Sequence, residues 1–336
     1  MRYLIALIFW VLASAVFAQE WEDRRVFNDT SGAAVLRILS STDTELFAPV
    51  IERFLDANPE LAIEYLVTST ADLDRRFRAD PSAFDVVVSS AMDLQLKLVN
   101  DGLALQLDRV SHVPWAEWRQ SLFAFTAEPA AIVINRAAFA GHPTPTSRQD
   151  LIEALRARPE VFRGRVGTYD VRSSGFGYLI ATQDARSSET FWRLMEVMGG
   201  LDLRLYCCSG EMIDDLSDGT IAVAYNVLAS YAAARIESQS TLEIILPSDF
   251  PTTMMRTALV SRTTTEADAA EAFVRHLVAF QSRPSEGGLS LPTLDVQADG
   301  PEGGTIALEP ALMTFLDALK RKKFLSEWED AVIQSR

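Results

Sequence analysis

Two Ser/Thr clusters stand where strands give way to helices, and their chemistry is that of hydrogen-bond donors at a helix N-terminus. The first, Ser40, Ser41 and Thr42, follows the apolar run Val35 to Leu39; the second, Ser89 and Ser90, follows Phe84 to Val88. Amphipathic segments come after both, so each cluster sits where unpaired N–H groups and the positive end of a helix dipole would face a ligand. The sequence Arg172-Ser173-Ser174-Gly175 repeats the theme with a guanidinium added, and an oxyanion could be gripped there by a planar fork and by helix N–H groups together. Tyr225 and Asn226 at a strand end offer a phenol and an amide, and Tyr231 a second phenol. Each residue also has an ordinary structural reading: N-caps for the hydroxyls, a surface ion pair for Arg172, a buried satisfied hydroxyl for Tyr225. The recurrence of the Ser/Thr clusters at equivalent strand ends favours a shared crevice, as at the switch points of α/β sheets.

Composition narrows what such a site serves. Asp and Glu number 46 against 31 Lys and Arg, a formal charge of −15 over 336 residues. Nucleic acid and anionic membranes bind clustered cations, so neither partner is expected. Two cysteines, Cys207 and Cys208, and three histidines, His112, His142 and His276, show no metal-ligand spacing, and no metal or cofactor is expected. A disulfide between neighbouring cysteines is strained, so the pair reads first as two small buried residues or partly exposed thiols, with oxidation as the other reading. Gly-x-Ser-x-Gly, a Gly-rich loop ending in Lys-Ser or Lys-Thr, and His-Glu-x-x-His are all absent, so no catalytic residue is assigned and a non-enzyme is expected.

Elements able to position these residues alternate strand and helix. Met1-Arg2, the apolar run from Tyr3 to Ala13 and Val16-Phe17-Ala18 have the form of a cleaved signal peptide over residues 1–18. The remainder is expected to be soluble outside the inner membrane, in the periplasm, and monomeric. Residues 19–33 read as irregular. Thr42 with Glu45 has the form of a capping box for a helix that Asn58-Pro59 ends, and Thr146 with Gln149 reads as another. Ile63, Tyr65 and Val67 alternate as a strand; Met92 to Asn100, Phe176 to Thr182 and Glu266 to Phe280 read as helices. The stretch Phe123 to Asn135 is too long for one strand and suits a chain passing from one domain to the next.

The strand, Ser-Ser-Thr-Asp and the helix Leu46 to Pro59, with Phe84-Asp-Val-Val-Val-Ser-Ser90 and Ala267 to Leu277 after Ala258-Leu-Val-Ser261, resemble the bacterial periplasmic solute-binding proteins of ABC transporters. The resemblance runs from about Val35 to Gly287, to the branch with ferric-iron, thiamine and phosphoglycerate-regulatory members, and is nearest in motif to the last. It implies the type II fold: α/β, two lobes, each a mixed sheet flanked by helices, with the ligand cleft between them. It further implies lobe 1 over 19–126 and 250–283, lobe 2 over 127–249, crossings near Thr126 and Phe250, and the Pro/Gly-rich segment with C-terminal helices over 284–336. An inner-membrane permease or a membrane sensor kinase is the implied partner. Iron-binding members carry adjacent tyrosines ahead of an arginine; here Ala229 to Arg235 keeps only Tyr231, with Ala232 in the other place, which makes a poor ferric site. The expected ligand is a small organic anion, a carboxylate or phosphorylated acid, held by Ser40 to Thr42, Ser89-Ser90, Arg172 to Gly175, Tyr225-Asn226 and Tyr231.

Overall fold

The structure is a computed structural model that describes residues 21–30, 32–236, 241–280, 291–295 and 303–334. The signal-peptide reading of residues 1–18 therefore lies outside the described residues, as does most of the Pro/Gly-rich segment. Two sheets organise the chain. The first has seven strands in the order Asp23–Phe27, Leu61–Val67, Ala34–Ser40, Val86–Ser89, Thr257–Val260, Leu122–Ala124, Glu117–Trp118. The second runs Leu242–Ile245, Glu128–Asn135, Val223–Leu228, Val166–Tyr169, Arg204–Tyr206, and Thr253–Met254 pairs with Glu128–Asn135. Both mix parallel and antiparallel pairs, and in both the inner strands read as continuous apolar runs because helices cover both faces. Leu61–Val67 is buried at every position, so the alternation expected from Ile63, Tyr65 and Val67 is overridden.

The long stretch from Phe123 divides as its length demands. Leu122–Ala124 closes in the first sheet and Glu128–Asn135 opens in the second, with Thr126 between them. The return crossing falls at Met255 and Arg256, between Thr253–Met254 on the second sheet and Thr257–Val260 on the first, a few residues beyond Phe250. Phe125 N–H donates to Arg256 O at 2.9 Å, tying the two crossings side by side. The C-terminal segment breaks at Asp317: Pro310–Leu316 packs on the first-lobe helix Met92–Asn100, and Ala318–Val332 packs on the second-lobe helix Thr190–Gly199.

Several local expectations are corrected. Asp23–Phe27 is a strand paired with Leu61–Val67, in what reads from sequence as an irregular lead-in; an edge strand that is exposed at four of its positions has little hydrophobic signature. The first helix spans Thr44–Ala57 with Asp43 as N-cap, so Thr42 is not its cap. Ser147, accepting from Asp150 N–H at 3.0 Å, caps Arg148–Ala157 in place of Thr146. Cys207 and Cys208 are joined by a disulfide rather than held as thiols.

Candidate functional site

Both sheets direct their switch points at one place. In the first, Ala34–Ser40 lies between Leu61–Val67 and Val86–Ser89, so the loops leaving Ser40 and Ser89 part around a crevice; in the second, Val166–Tyr169 lies between Val223–Leu228 and Arg204–Tyr206. The carboxyl ends of these strands meet across a small cavity of about 40 Å³, lined by Glu22, Ser41, Asp43, Thr68 to Thr70 and Ser90 from the first lobe. From the second come Tyr169, Ser174, Phe176, Cys207 to Ser209, Leu228 and Tyr231. Helices Thr44–Ala57, Thr70–Ala79, Met92–Asn100, Gly175–Ser187 and Ser209–Ser217 all begin there, with N-caps Asp43, Ser69, Ala91, Ser174 and Cys208. Their dipoles place positive potential at the cavity without any Lys or Arg in its lining.

The lobes are closed on one another. Phe176 N–H donates across the cleft to Thr70 Oγ1 at 3.0 Å, and Tyr231 OH lies 3.4 Å from Asp43 Oδ1. Gly175 permits this approach: a Cβ there would sit 2.9 Å from Leu94 Cδ1 and 3.1 Å from Thr70 Oγ1. On the far side of Tyr231 and Asp43 a wider groove, bordered by Glu45, Gly210 and Arg235, leads outward.

Beneath the cavity Arg256 is fully buried against Glu128, both 0% exposed, with two N–H···O bonds of 2.9 Å. The same guanidinium donates to Thr42 Oγ1 in the first lobe, and Ser230 Oγ in the second donates to Glu128. Burial works against the guanidinium charge, but Glu128 and the neighbouring phenols hold its pKa above the ordinary value. Two carboxyls in the cavity are raised as well, which in their case favours the uncharged form. Burial, and then the proximity of Asp43, Asp72 and Glu211, raises Glu22; burial raises Asp43, although Tyr231 and Arg256 oppose the shift.

Of the residues expected at the site, Ser41, Ser90, Ser174 and Tyr231 line the cavity. Others stand just behind it. Ser40 Oγ accepts from Thr42 N–H at 3.0 Å and Tyr65 OH at 2.7 Å, Ser89 Oγ accepts from Ala91 N–H at 3.1 Å, and Thr42 receives Arg256. Gly175 is a lobe contact, and Ser173 is exposed. Arg172 is not brought to the cleft: its guanidinium is bound by Asp170 at 2.6 Å and lies 3.6 Å from Glu329 on the outer surface. Tyr225 and Asn226 face away from it, into the second lobe. Asn226 takes φ +64° at a bulge between Tyr225 and Val227, which turns its amide onto Asp184 at 2.8 Å. Tyr225 OH donates to Asp184 at 2.7 Å and accepts from Arg148 Nε at 2.7 Å. These are satisfied core groups, so the expected oxyanion fork of Arg172 with Tyr225 and Asn226 is not assembled.

Sequence reasoning missed Glu22, Asp43, Thr68 to Thr70, Tyr169 and Ser209, and ranked Arg256, with Arg204, only as a weaker candidate than Arg172. Thr68-Ser69-Thr70 carried a signal, since it stands between a strand and a helix just as Ser40 to Thr42 does. Glu22 carried none. His112 and His276, which read as helix-flanking or surface residues, are half-buried and meet the carbonyls of Ala124 and Val50 at 2.8 and 3.2 Å.

No family model and no curated relative matches the sequence. Solved structures do. The substrate binding protein of an ABC transporter from Agrobacterium tumefaciens is 28% identical, with a TM-score of 0.85 over 92% of this chain and 98% of that one. AfuA of Actinobacillus pleuropneumoniae, a periplasmic binding protein solved with fructose-6-phosphate, is 13% identical with a TM-score of 0.71 over 91% and 100%. A periplasmic thiamin binding protein is 19% identical with a TM-score of 0.68 over 91% and 98%. The resemblance read from the motifs therefore holds: the fold is that of the type II periplasmic binding proteins, and the chain is similar to substrate-binding proteins of ABC transporters.

Proposed function

We propose that the chain is the solute-binding component of an ABC importer and captures a small organic anion, a carboxylate or phosphorylated acid, in the cleft between its lobes. The observation that carries this reading is the convergence of helix N-termini from both lobes on one hydroxyl-lined cavity. Helix N–H groups and Ser/Thr hydroxyls bind an oxyanion without a countercharge, and Ser41, Ser69, Ser90, Ser174 and Ser209 supply such hydroxyls. Glu22 and Asp43 then accept from the ligand's own hydroxyls or from its acidic proton. Arg256 acts from below: by bonding Thr42 and Glu128 it links first-lobe loop to hinge and steadies the closed form that a permease would recognise. The protein reaches the periplasm through the signal peptide of residues 1–18 and works there as a monomer.

A cationic solute is the second reading, favoured by the carboxyls of Glu22 and Asp43 in a lining that has no Lys or Arg. A thermal-shift screen separates the two. The mature protein is heated with phosphorylated three-carbon acids, di- and tricarboxylates, thiamine and ferric iron, and a solute at 100 times its Kd adds about 2.7 kcal/mol of stability. A rise in Tm with one of the acids is the expected result; a rise with thiamine alone overturns the anion reading.

A further inference from the structure

The disulfide between Cys207 and Cys208 has no part in that account, yet it lines the cavity. It stands at the end of Arg204–Tyr206, and Cys208 is the N-cap of Ser209–Ser217. Helix N-caps favour Ser, Thr, Asp or Asn, whose side-chain oxygen occupies the first N–H groups. Cys208 makes no such bond, so this helix keeps its leading N–H groups for another acceptor in the cavity. Around it the lining is nearly all hydroxyl and carboxyl: Ser41, Ser69, Ser90, Ser209, Glu22 and Asp43. Disulfide sulfurs carry no donor and accept weakly, so they offer a polar group nothing and an apolar one a polarisable contact. Phe176 and Leu228 supply the remaining apolar surface. Both cysteines are half-buried, which leaves the bond open to a small reagent.

We propose that the Cys207–Cys208 disulfide is a specificity-determining wall of the cleft: its sulfurs receive the hydrocarbon skeleton of the bound solute and so select an organic ligand over an inorganic oxyanion. The inference rests on the cleft being the ligand site and not on the charge of the ligand.

Protection from reduction tests it. The mature, oxidised protein is treated with dithiothreitol in the presence of each solute of the thermal screen and of inorganic phosphate, and the thiols released are counted by mass after maleimide capture. Each event breaks the S–S bond, places two electrons and two protons on Cys207 and Cys208, and converts the dithiol to its cyclic disulfide. A solute at ten times its Kd leaves about a tenth of the protein open, so reduction should slow about tenfold with an organic solute that raises Tm. Inorganic phosphate should change the rate by less than about twofold by the same occupancy arithmetic. A solute that raises Tm without slowing reduction overturns the inference, and so does a panel in which nothing slows it. Stabilisation and protection by thiamine alone would remove the anion reading and leave the wall in place; stabilisation by an anion without protection would do the reverse. The double variant Cys207→Ser/Cys208→Ser, checked for folding by its own Tm, should bind the stabilising solute about tenfold more weakly. Unchanged affinity in that variant would show that the sulfurs do not select the ligand.

Discussion

Two buried arginine–carboxylate pairs hold this molecule, and they differ in whom they serve. Arg148 and Asp184 are both 0% exposed inside the second lobe, and every further partner belongs to that lobe: Tyr225, Asn226, Asp249, Thr252 and the Phe250 carbonyl. Arg256 and Glu128 are equally buried, but their further partners are divided, Thr42 from one lobe and Ser230 from the other, and the pair itself joins the two crossing strands. The same chemistry therefore makes a core in one place and a hinge in the other. The role of a buried ion pair is set by the elements that own its spare hydrogen bonds, because those are the elements it prevents from parting.

The hardest blow to this comparison comes from removing each cation in turn. Arg148→Ala and Arg256→Ala both strand a carboxylate in the interior, and each should cost about 3–5 kcal/mol in urea unfolding. They part in function: the folded fraction of Arg148→Ala should bind the ligand as the parent does, while Arg256→Ala should bind it more weakly by titration calorimetry. Equal affinities in the two variants would mean that the hinge pair has no special role.

A third buried carboxyl sharpens the point, because the guanidinium near it, Arg321, acts only through its charge and does not outweigh burial. Asp93 is held by the Leu94 N–H at 2.9 Å, and burial pushes it up to about 7. The folded chain thus keeps a proton there that the unfolded chain releases near the ordinary Asp range of about 4. Its stabilising contribution is whole below that range and is lost as the pH rises through about 7. Asp93→Asn should therefore be more stable than the parent at pH 8, by about 2–4 kcal/mol, and little different at pH 4. Denaturant melts at the two pH values check it.

Closure offers the next test. Gly175→Ala places a methyl against Leu94 and Thr70 across the cleft, so it should weaken ligand binding by about 1–3 kcal/mol while leaving each lobe intact. Binding at parental strength would show that the lobes need not approach so closely. The smallest effect belongs to Arg172→Ala. Its ion pairs are exposed, and the change should cost under about 1 kcal/mol in stability with affinity unchanged. A tenfold loss of affinity would return Arg172 to the site.

Much of this was legible before any coordinates. The strand, Ser-rich turn and helix succession is local: apolar runs set the strands, and short hydroxylic residues favour the turns and helix starts. Ser41, Ser90 and Ser174, read from that succession, line the cavity between the lobes. The local pattern failed where a side chain had a choice of partner. Arg172 stands beside Ser173, Ser174 and Gly175 in sequence, yet Asp170 two residues earlier claims it, and Tyr225 and Asn226 are taken by Asp184 some forty residues away.

Sequence alone determined the class of fold, because hydrophobic period and turn chemistry act over a few residues. Only the tertiary structure decided that Arg256 and not Arg172 lies beneath the cavity, that Cys207 and Cys208 meet as a disulfide in its wall, and that Glu22 and Asp43 line it. Those outcomes depend on contacts between segments as distant as Thr42 and Arg256, and no local pattern encodes which of several charged or polar groups a fold will bring together.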